Sequence, residues 1–563
     1  MRAASRALRR TPSRALTLGT SPFLATRTWP GSAWAGKSSF PSCAQSRTGL
    51  RIAASQQRQF STPTNSGSSG SSGSENPALS DDDLSGERKW STPLAKQLGA
   101  AIQTTGPVPL ASYMRMCLTA DIGGYYTGAL EEGRDQFGLK GDFVTSPEIS
   151  QVFGELCGIW YVAEWMAQGR RSQGVELIEV GPGRGTLMDD MLRTIQRFPD
   201  MANSIDAVYM VEASVELRMA QKNLLCGEDA PMSESKVGYH SVCKHSALPI
   251  VWTETIKSIP VAPEKTPFIM AHEFFDALPI HAFELVSVPP TQTTARTPTD
   301  TSSPSSKTSH PTLQWRELMV SPTPPGSTHA SLRTPTSQSH DTPPPDFQLT
   351  LAKAPTRHAL YLPESSPRYR SLKTTVGPGA LLEICPDAAL YAADFAARIG
   401  GSPQHPKPQP SGAALILDYG PGDGTIPTNS LRGISRHRRV SPFAEPGLTD
   451  LSADVDFAAL AESATRASEG VEVHGPVAQA DFLELMGIRE RVEMLARAMG
   501  NATAAGTTQE DATKAVEDVK KAWGRLVDRG PNGMGKIYKA LAILPENEGR
   551  RRPVGFGGDV VGA

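Results

Sequence analysis

One short segment constrains the fold of this chain more than any other. Residues 177–187 have the sequence LIEVGPGRGTL, in which an apolar stretch leads into three closely spaced glycines and then into helix-favouring residues. Glycine lets the backbone turn tightly and lets a ligand approach the main chain. A strand that passes through a glycine turn directly into a helix is typical of open α/β sheets, which bind ligands at the carboxyl ends of their strands.

The rest of the chain alternates between strand and helix patterns. Buried strands are predicted at 175–180, 207–212, 267–271, 282–286, 413–419 and 535–543, and an alternating strand at 313–320. Helices are predicted at 96–104, 109–118, 148–166, 186–196 and 215–223. This order predicts an α/β fold, in which helices cover both faces of a mainly parallel sheet and a helical extension precedes it.

Composition divides the 563-residue chain into segments. Residues 1–60 contain nine Arg, one Lys and no acidic residue, which is typical of a mitochondrial transit peptide. A disordered basic tail and a chloroplast peptide are the alternatives, and Arg58–Ser61 resembles a matrix-processing site. Residues 61–88, rich in Ser and Gly at their start, are expected to form a disordered linker. One folded domain is expected at 89–545.

Four further segments are expected to be irregular. Thr, Ser and Pro dominate 289–312 and 321–346, and Pro is frequent in 401–412. Such segments bury too little apolar surface to fold alone, so we expect disordered insertions into the domain. Residues 546–563 are expected to form a loose C-terminal tail.

Charge and cysteine spacing limit the partners of the chain. Removal of the ten cations in 1–60 would change the net charge from −2 to −12. An acidic protein of this kind is poorly suited to nucleic acid and compatible with a cationic substrate. The six cysteines lack CxxC spacing, so we expect neither a disulfide framework nor a metal site. No run of roughly 18 apolar residues predicts a membrane span.

The glycine spacing favours one class of ligand. Gly181, Gly183 and Gly185 follow the pattern G-x-G-x-G, whereas the dinucleotide fingerprint is G-x-G-x-x-G. Glu179 precedes the glycines, and Glu212 ends the next predicted strand, where a carboxylate can accept both hydroxyls of a ribose. The arrangement resembles the S-adenosylmethionine loop of Rossmann-type methyltransferases. A purely structural glycine turn and an NAD site are the alternatives.

Several further motifs extend this resemblance. They are GDFVTSPEISQVFGE at 141–155, AHEFFDALP at 271–279, LDYG at 417–420, LSADVDF at 451–457 and GPVAQ at 475–479. Together with the glycine loop, they resemble the MidA-like mitochondrial arginine methyltransferases that act as assembly factors for respiratory complex I. The resemblance covers roughly residues 90–545, apart from the Pro-rich insertions. An apparent extra residue in 418–425 and Ala271 in place of glycine depart from the family pattern.

The resemblance implies a Rossmann-like, class I methyltransferase of the mitochondrial matrix that uses S-adenosyl-L-methionine. It implies symmetric dimethylation of an arginine on the 49-kDa-type matrix-arm subunit of complex I, as a step in complex I assembly. The resemblance leaves it open whether the protein forms a homodimer. The residues that the resemblance assigns to the cofactor are Glu179, Gly181, Pro182, Gly183, Gly185 and Glu212.

Two carboxylates are the best candidates for binding a substrate guanidinium. Glu273 and Asp276 follow the predicted strand 267–271 and lie three positions apart, so they could share one face of a turn at the carboxyl end of the sheet. Such a pair could bind a guanidinium and orient one nitrogen towards a methyl donor. The alternative is that Asp276 caps the turn and Glu273 is solvated. His272 could relay a proton, although a hydrogen-bonded structural role suits it better.

Two other regions allow more than one interpretation. Ser146 and Glu148 lie in a segment that fits a helix cap with proline at the first helical position, and that fits a wall of the cofactor pocket equally well. Arg432, Arg436, Arg438 and Arg439 predict a solvated basic face, and docking to a protein partner is the alternative.

Three classes of function remain compatible with the sequence. An active arginine methyltransferase is favoured by the intact glycines and acidic residues. A catalytically silent assembly chaperone on a methyltransferase fold is the second, and a methyltransferase for small molecules or nucleic acid is the third. The acidic charge opposes nucleic acid.

Overall fold

The computed structural model describes residues 88–128, 144–289, 311–338, 341–501, 509–531 and 533–557. The predicted transit peptide, the predicted linker up to residue 87 and most of the predicted insertion 289–312 lie outside these ranges, as do residues 558–563.

The strands are numbered here in chain order. They are β1 (Val108–Pro109), β2 (Val175–Val180), β3 (Ile205–Val211), β4 (Ser233–Glu234), β5 (Tyr239–Val242), β6 (Pro249–Thr253), β7 (Thr266–His272), β8 (His281–Val288), β9 (Thr312–Pro322), β10 (Phe347–Leu351), β11 (Leu381–Ile384), β12 (Ala413–Tyr419), β13 (Arg432–Ser435), β14 (Arg438–Val440), β15 (Asp450–Ser452), β16 (Val471–Ala478) and β17 (Tyr538–Pro545). Every strand that the sequence predicted is present, and β2 and β12 have the predicted bounds.

The helices are numbered in the same way. They are α1 (Pro93–Thr105), α2 (Leu110–Thr119), α3 (Ser146–Ile149), α4 (Gln151–Ala167), α5 (Thr186–Ile195), α6 (Pro199–Ser204), α7 (Val215–Cys226), α8 (His329–Leu332), α9 (Arg357–Tyr361), α10 (Pro367–Thr375), α11 (Pro386–Gly400), α12 (Phe457–Ala467), α13 (Gln479–Leu485), α14 (Ile488–Asn501) and α15 (Gln509–Val527). No helix in the described ranges combines the length and apolarity that crossing a bilayer requires.

Nine strands form the main sheet, in the order β16-β17-β12-β7-β2-β3-β6-β5-β4. The five strands β12, β7, β2, β3 and β6 are parallel, and β17 runs antiparallel to both of its neighbours. The central strands are apolar on both faces because each face is covered: Leu177 packs with α4 and α5, and Ile178 packs with α11 and α12. The predicted α/β, Rossmann-like fold is therefore confirmed.

The order of the parallel strands creates a crevice. β2 lies between β3 and β7, and the chain passes from β2 to β3 and β6 on one side before it returns to β7 on the other side. At such a reversal the loops that follow the two neighbouring strands diverge and leave a cleft at their carboxyl ends. The glycine loop follows β2, and residues 273–280 follow β7, so both border this cleft.

A second, antiparallel sheet has the order β1-β9-β8-β11, and β10 pairs with β9. The predicted strands 282–286 and 313–320 are β8 and β9 of this sheet, so 282–286 does not extend the parallel sheet as we expected. A third sheet, β14-β13-β15, is formed by residues 432–452. The second sheet packs against α1 and α2 through a separate apolar cluster.

Two of the expected disordered insertions are ordered where the structure describes them. In 321–346, Thr323 and Asp346 accept hydrogen bonds at their carbonyls from the Arg88 guanidinium, and Thr328 caps α8. In 401–412, the buried Lys407 ammonium donates to the carbonyls of Arg398 and Ser411, at 2.9 Å each. The predictions were wrong because Ser, Thr and Pro also stabilise capped turns, which composition cannot distinguish from disorder.

The C-terminal segment is also packed, and the prediction of a loose tail was wrong for its described part. The Trp160 indole donates to the Val554 carbonyl at 3.0 Å, and Phe556 lies 5.6 Å from the Phe482 ring. Arg551 forms two hydrogen bonds, of 2.8 and 2.6 Å, with the fully buried Glu164 carboxylate of α4. This ion pair attaches the end of the chain to the core.

We predict that Arg551→Ala lowers the free energy of unfolding by about 3 kcal/mol, because it leaves the buried Glu164 carboxylate without its partner. Urea denaturation monitored by tryptophan fluorescence measures the effect. Arg552→Ala is the matched control, since Arg552 is exposed. Equal stability of the two variants would show that the tail is not anchored in this way.

Candidate active site

A cavity of about 920 Å³ lies at the carboxyl ends of β2 and β7. Most of the residues predicted for the site line it. They are Glu148, Glu179, Gly181, Pro182, Gly183, Glu212, His272, Glu273 and Asp276. Ser146 and Gly185 lie directly next to lining residues. The fold thus brings the predicted cofactor residues and the predicted substrate carboxylates together in one cavity.

The glycine loop requires glycine for steric reasons. Gly181, Gly183 and Gly185 have φ angles of +64°, +53° and +84°, in the left-handed region that side chains disfavour. A Cβ atom at Gly181 would lie 2.6 Å from the Phe274 ring. Gly185 is the N-cap of α5, so it shapes the start of that helix behind the cavity wall.

Gln221 of α7 connects the two halves of the predicted cofactor site. Its amide nitrogen donates to the Gly183 carbonyl at 2.7 Å and to the Glu212 carboxylate at 3.1 Å. Its amide oxygen accepts from the Trp252 indole at 3.0 Å, which fixes the orientation of the amide. The second Glu212 oxygen accepts from the Ser214 backbone at 2.8 Å. No local pattern in the sequence predicts the role of Gln221, because its partners lie up to 38 positions away.

Burial raises the pKa values of Glu179 and Glu212, the two acids next to the glycine loop. It raises the pKa of Glu179 to about 8, with a further contribution from the nearby Glu212 carboxylate. Burial also raises the pKa of Glu212 to about 7, against the opposing effect of the Ser214 and Gln221 hydrogen bonds. One Glu179 oxygen has no hydrogen-bond partner among the described residues. A cation placed here would stabilise both carboxylates in their ionised form.

Glu273 begins the loop that follows β7. Its φ angle is +48°, an uncommon conformation for a residue with a side chain, and its backbone amide donates to the Leu417 carbonyl at 2.9 Å. Burial, with a smaller contribution from Asp276, raises the pKa of Glu273 well above its usual value; the Ser146 amide and the Tyr538 hydroxyl partly oppose this shift. Residues held in such conformations occur preferentially at functional sites.

Asp418, at the end of β12, holds this loop in place. One of its carboxylate oxygens accepts from the backbone amides of Phe275 at 2.9 Å and Asp276 at 3.3 Å, and the other accepts from the Tyr419 amide at 2.9 Å. Asp418, and not Asp276, therefore binds the first amides of the turn. The Asp276 carboxylate instead accepts from the Tyr419 hydroxyl, and its other oxygen has no partner among the described residues. Burial also raises the pKa of Asp276.

His272 is poorly suited to carry a proton. Burial lowers its pKa to about 3, so the imidazole is neutral at physiological pH. Its Nε2 atom lies 3.5 Å from the Glu273 carboxylate and forms no hydrogen bond within the described part of the chain. The ring packs edge-on against Phe153, with 5.1 Å between centroids. These contacts favour the structural role over the proton relay.

The segment around Ser146 and Glu148 forms a helix cap, as one interpretation predicted, and it also borders the cavity. Thr145 and Glu148 form a capping box at the start of α3, and Glu148 also lines the cavity. Ser146 is fully buried, and its backbone amide faces the Glu273 carboxylate. The short helix α3 thus contributes to the site mainly through its backbone.

Several wall residues were missed by the sequence analysis. Tyr126 donates to Asp450 at 3.0 Å, and Tyr538 packs against Tyr419 with 5.2 Å between centroids. Arg432, predicted on a solvated face, instead lies in the wall, where it donates to Asp454 at 2.7 Å and stacks 4.4 Å above Tyr419. These contacts join segments distant in sequence, so no local pattern reports them. Arg436, Arg438 and Arg439 are exposed, as expected.

Residues 156–477 match a protein family described as "Putative S-adenosyl-L-methionine-dependent methyltransferase". This match spans more than half of the chain. The chain belongs to this methyltransferase family.

Relatives in other organisms match over most of their length. The chain is 34% identical to "Protein arginine methyltransferase NDUFAF7, mitochondrial" of Rattus norvegicus, over 81% of this chain and 85% of the rat protein. It is 34% identical to the Homo sapiens protein of the same name, over 81% of this chain and 84% of the human protein. A Drosophila melanogaster homologue is 33% identical over 80% of this chain and 85% of its own length.

A solved structure supports the fold. A COG1565 superfamily member from Burkholderia thailandensis, crystallised with S-adenosyl-homocysteine, superposes with a TM-score of 0.53 over 80% of this chain and 91% of the bacterial chain. The two sequences are 22% identical. This agreement concerns the architecture of the main sheet and its helices.

The cavity fits the cofactor of this family. S-adenosyl-L-methionine has a ribose diol, for which Glu212 offers a fixed carboxylate, and it has an ammonium and a sulfonium charge that suit buried acids. The glycine turn leaves room for the ligand next to the backbone. The unpartnered Glu179 oxygen is available to a cationic group.

We predict that Gln221→Leu weakens S-adenosyl-L-methionine binding by about tenfold, because it removes the hydrogen bonds that fix Glu212 and Gly183 and leaves buried polar atoms unpaired. Isothermal titration calorimetry measures the dissociation constant. Gln103→Leu, on the exposed side of α1, is the control. If both variants bind like the wild type, Gln221 does not organise the site.

We also predict that cofactor binding tightens on the order of 10²-fold between pH 6 and pH 8. Glu179 and Glu212 are partly protonated in this range, and a bound cation requires their ionised form, so binding releases protons. Calorimetry in buffers of different ionisation enthalpy counts the protons released. Glu179→Gln should flatten the pH dependence; a wild-type dissociation constant that does not change with pH would contradict the assignment.

Proposed function

We propose that this chain is a protein arginine methyltransferase that forms symmetric dimethylarginine. The proposed substrate is the matrix-arm, 49-kDa-type subunit of respiratory complex I, and the proposed role is complex I assembly. We further propose that residues 1–60 direct the chain to the mitochondrial matrix. The names of the mitochondrial relatives support the substrate class and the organelle.

One observation carries the proposal for this chain. The paired acids Glu273 and Asp276 lie in the same cavity as the glycine loop, and each has a carboxylate oxygen without a partner among the described residues. An arginine guanidinium is always charged and offers several donors in one plane, so it can satisfy both oxygens together. Burial makes unpaired ionised carboxylates unfavourable, which increases the gain when a cation binds.

The bound cofactor supplies an electrophilic methyl group. Glu273 and Asp276 bind the guanidinium and orient one of its nitrogens towards that group, which contributes through positioning. With the cofactor held by the glycine loop, Glu179 and Glu212, transfer of its methyl group from sulfur to this nitrogen would require one nitrogen proton to leave. The raised pKa of Glu273 makes its carboxylate a stronger proton acceptor than an ordinary glutamate side chain.

The surrounding residues support these steps. Asp418 holds the loop amides, so that the Glu273 and Asp276 side chains keep their separation. Tyr419 and Tyr538 donate hydrogen bonds to this pair and form part of the cavity wall, where they exclude water from the carboxylates. Exclusion of water strengthens each electrostatic contact with the substrate.

We predict that Glu273→Gln lowers turnover on the complex I subunit by 10²-fold or more, on the order expected for loss of a general base, while cofactor binding changes little. The full chain is incubated with labelled cofactor and the purified subunit, and mass spectrometry distinguishes symmetric from asymmetric dimethylarginine. Glu264→Gln is the matched control, an exposed acid before β7.

The results separate the competing functions. Wild-type cofactor binding without methylation of any protein arginine would favour a catalytically silent assembly chaperone. Methylation of a free small molecule alone would favour the third class. Full activity of Glu273→Gln would remove this residue from the mechanism.

A further inference from the structure

Outside the cavity wall, three potential metal ligands converge on one point. A ring nitrogen of His281, a ring nitrogen of His358 and a carboxylate oxygen of Glu317 lie within 4.8 Å of one another. The His281 Nδ1 atom lies 2.7 Å from Glu317 Oε1, and the His358 Nδ1 atom lies 3.4 Å from the same oxygen. The residues come from β8, β9 and α9. The tertiary fold therefore brings the three side chains together, and no sequence motif predicts the group.

We infer that His281, Glu317 and His358 bind a divalent transition-metal ion of the zinc class. Two imidazoles and one carboxylate are a common three-ligand set for zinc, with a water as the fourth ligand. Bonds of about 2.1 Å in tetrahedral geometry place ligand atoms about 3.4 Å apart. The His358–Glu317 distance equals this value, and small side-chain shifts from the 2.7 Å His281–Glu317 contact would bring that pair to it. Harder ions such as Mg²⁺ prefer sets of oxygen ligands, so this set favours zinc over magnesium.

The environment of Glu317 supports a cation at this position. Its side chain is fully buried, so its negative charge requires a positive partner. The other Glu317 oxygen accepts from the Thr356 hydroxyl, which orients the carboxylate in the way that outer-shell hydrogen bonds orient metal ligands. The His281 and His358 rings are 4.2 Å apart and tilted by 47°, so neither ring is stacked flat against the other.

An ion also needs access from solvent, and His358 provides it. The His358 side chain is 47% exposed, whereas the side chains of His281 and Glu317 are 11% and 0% exposed. The site is therefore open on one side and enclosed on the other. Water can complete the coordination from the open side.

Metal binding would connect three parts of the second sheet. α9 has five residues, and a helix of this length has little stability of its own. A bond from His358 would attach α9 to β8 and β9. His281 directly follows the segment 273–280, so the ion would fix the point at which the loop that contains Glu273 and Asp276 joins β8.

The test uses the full chain without a purification tag and needs no activity measurement. We expect one Zn²⁺ per chain in calorimetric titration, and a rise in melting temperature with Zn²⁺. Substitution with Co²⁺ should give visible absorption bands typical of tetrahedral nitrogen–oxygen coordination. His358→Ala should weaken Zn²⁺ binding by about tenfold or more and remove the bands.

The control variant is His405→Ala, which removes an exposed histidine elsewhere on the surface. It should bind Zn²⁺ like the wild type. Glu317→Gln tests the second ligand while keeping the shape of the buried side chain. Weak, multiple Zn²⁺ binding that is identical in wild type, His358→Ala and His405→Ala would overturn the inference, and the cluster would then be a hydrogen-bonded group that neutralises Glu317.

Discussion

The parallel pairing of β2 with β7 is the constraint on which the site depends. Backbone hydrogen bonds in register, from Val175 opposite Thr266 to Val180 opposite Ala271, end the two strands at the same edge of the sheet. The glycine loop and the acidic loop therefore begin next to each other, although about 90 residues separate them in sequence. Packing on both faces fixes this register, since a shift by one residue would exchange the side chains that pack with α4 and α5 for those that pack with α11 and α12.

The second determinant is a group of buried acids around the cavity. Burial raises the pKa of Glu179, Glu212, Glu273, Asp276 and Asp418. Burying an apolar side chain at each of these positions would cost less free energy than burying a carboxyl group. The fold therefore retains an energetically unfavourable group of acids around the cavity. Proteins commonly depart from optimal stability at functional sites. Asp418 lowers the cost by accepting three backbone hydrogen bonds, and it thereby also holds the loop that carries its neighbours.

The sequence predicted those parts of the molecule that local patterns determine. β2 and β12 were predicted with correct bounds because each strand carries apolar residues on both faces, and the glycine loop was recognised because only glycine suits its backbone angles. The packed segments 321–338 and 401–412 were missed, because turn-forming residues have the same composition in ordered and disordered segments. Gln221, Arg432 and the His281–Glu317–His358 group depend on contacts between distant segments. No periodicity or spacing encodes such contacts.

The charge of the cavity affects ligand binding and, in the proposed reaction, the release of the products. Among the described residues, eight carboxylates and four guanidinium groups line it, so this part of its wall favours positive ligands. Methyl transfer removes the sulfonium charge from the cofactor side, whereas a methylated guanidinium keeps its charge. Under the proposed function, the attraction between Glu179, Glu212 and the cofactor would weaken with the transfer, while the attraction between Glu273, Asp276 and the arginine would persist. A second transfer to an arginine that stays bound would require the spent cofactor to leave first, and this difference in charge would favour that order of release.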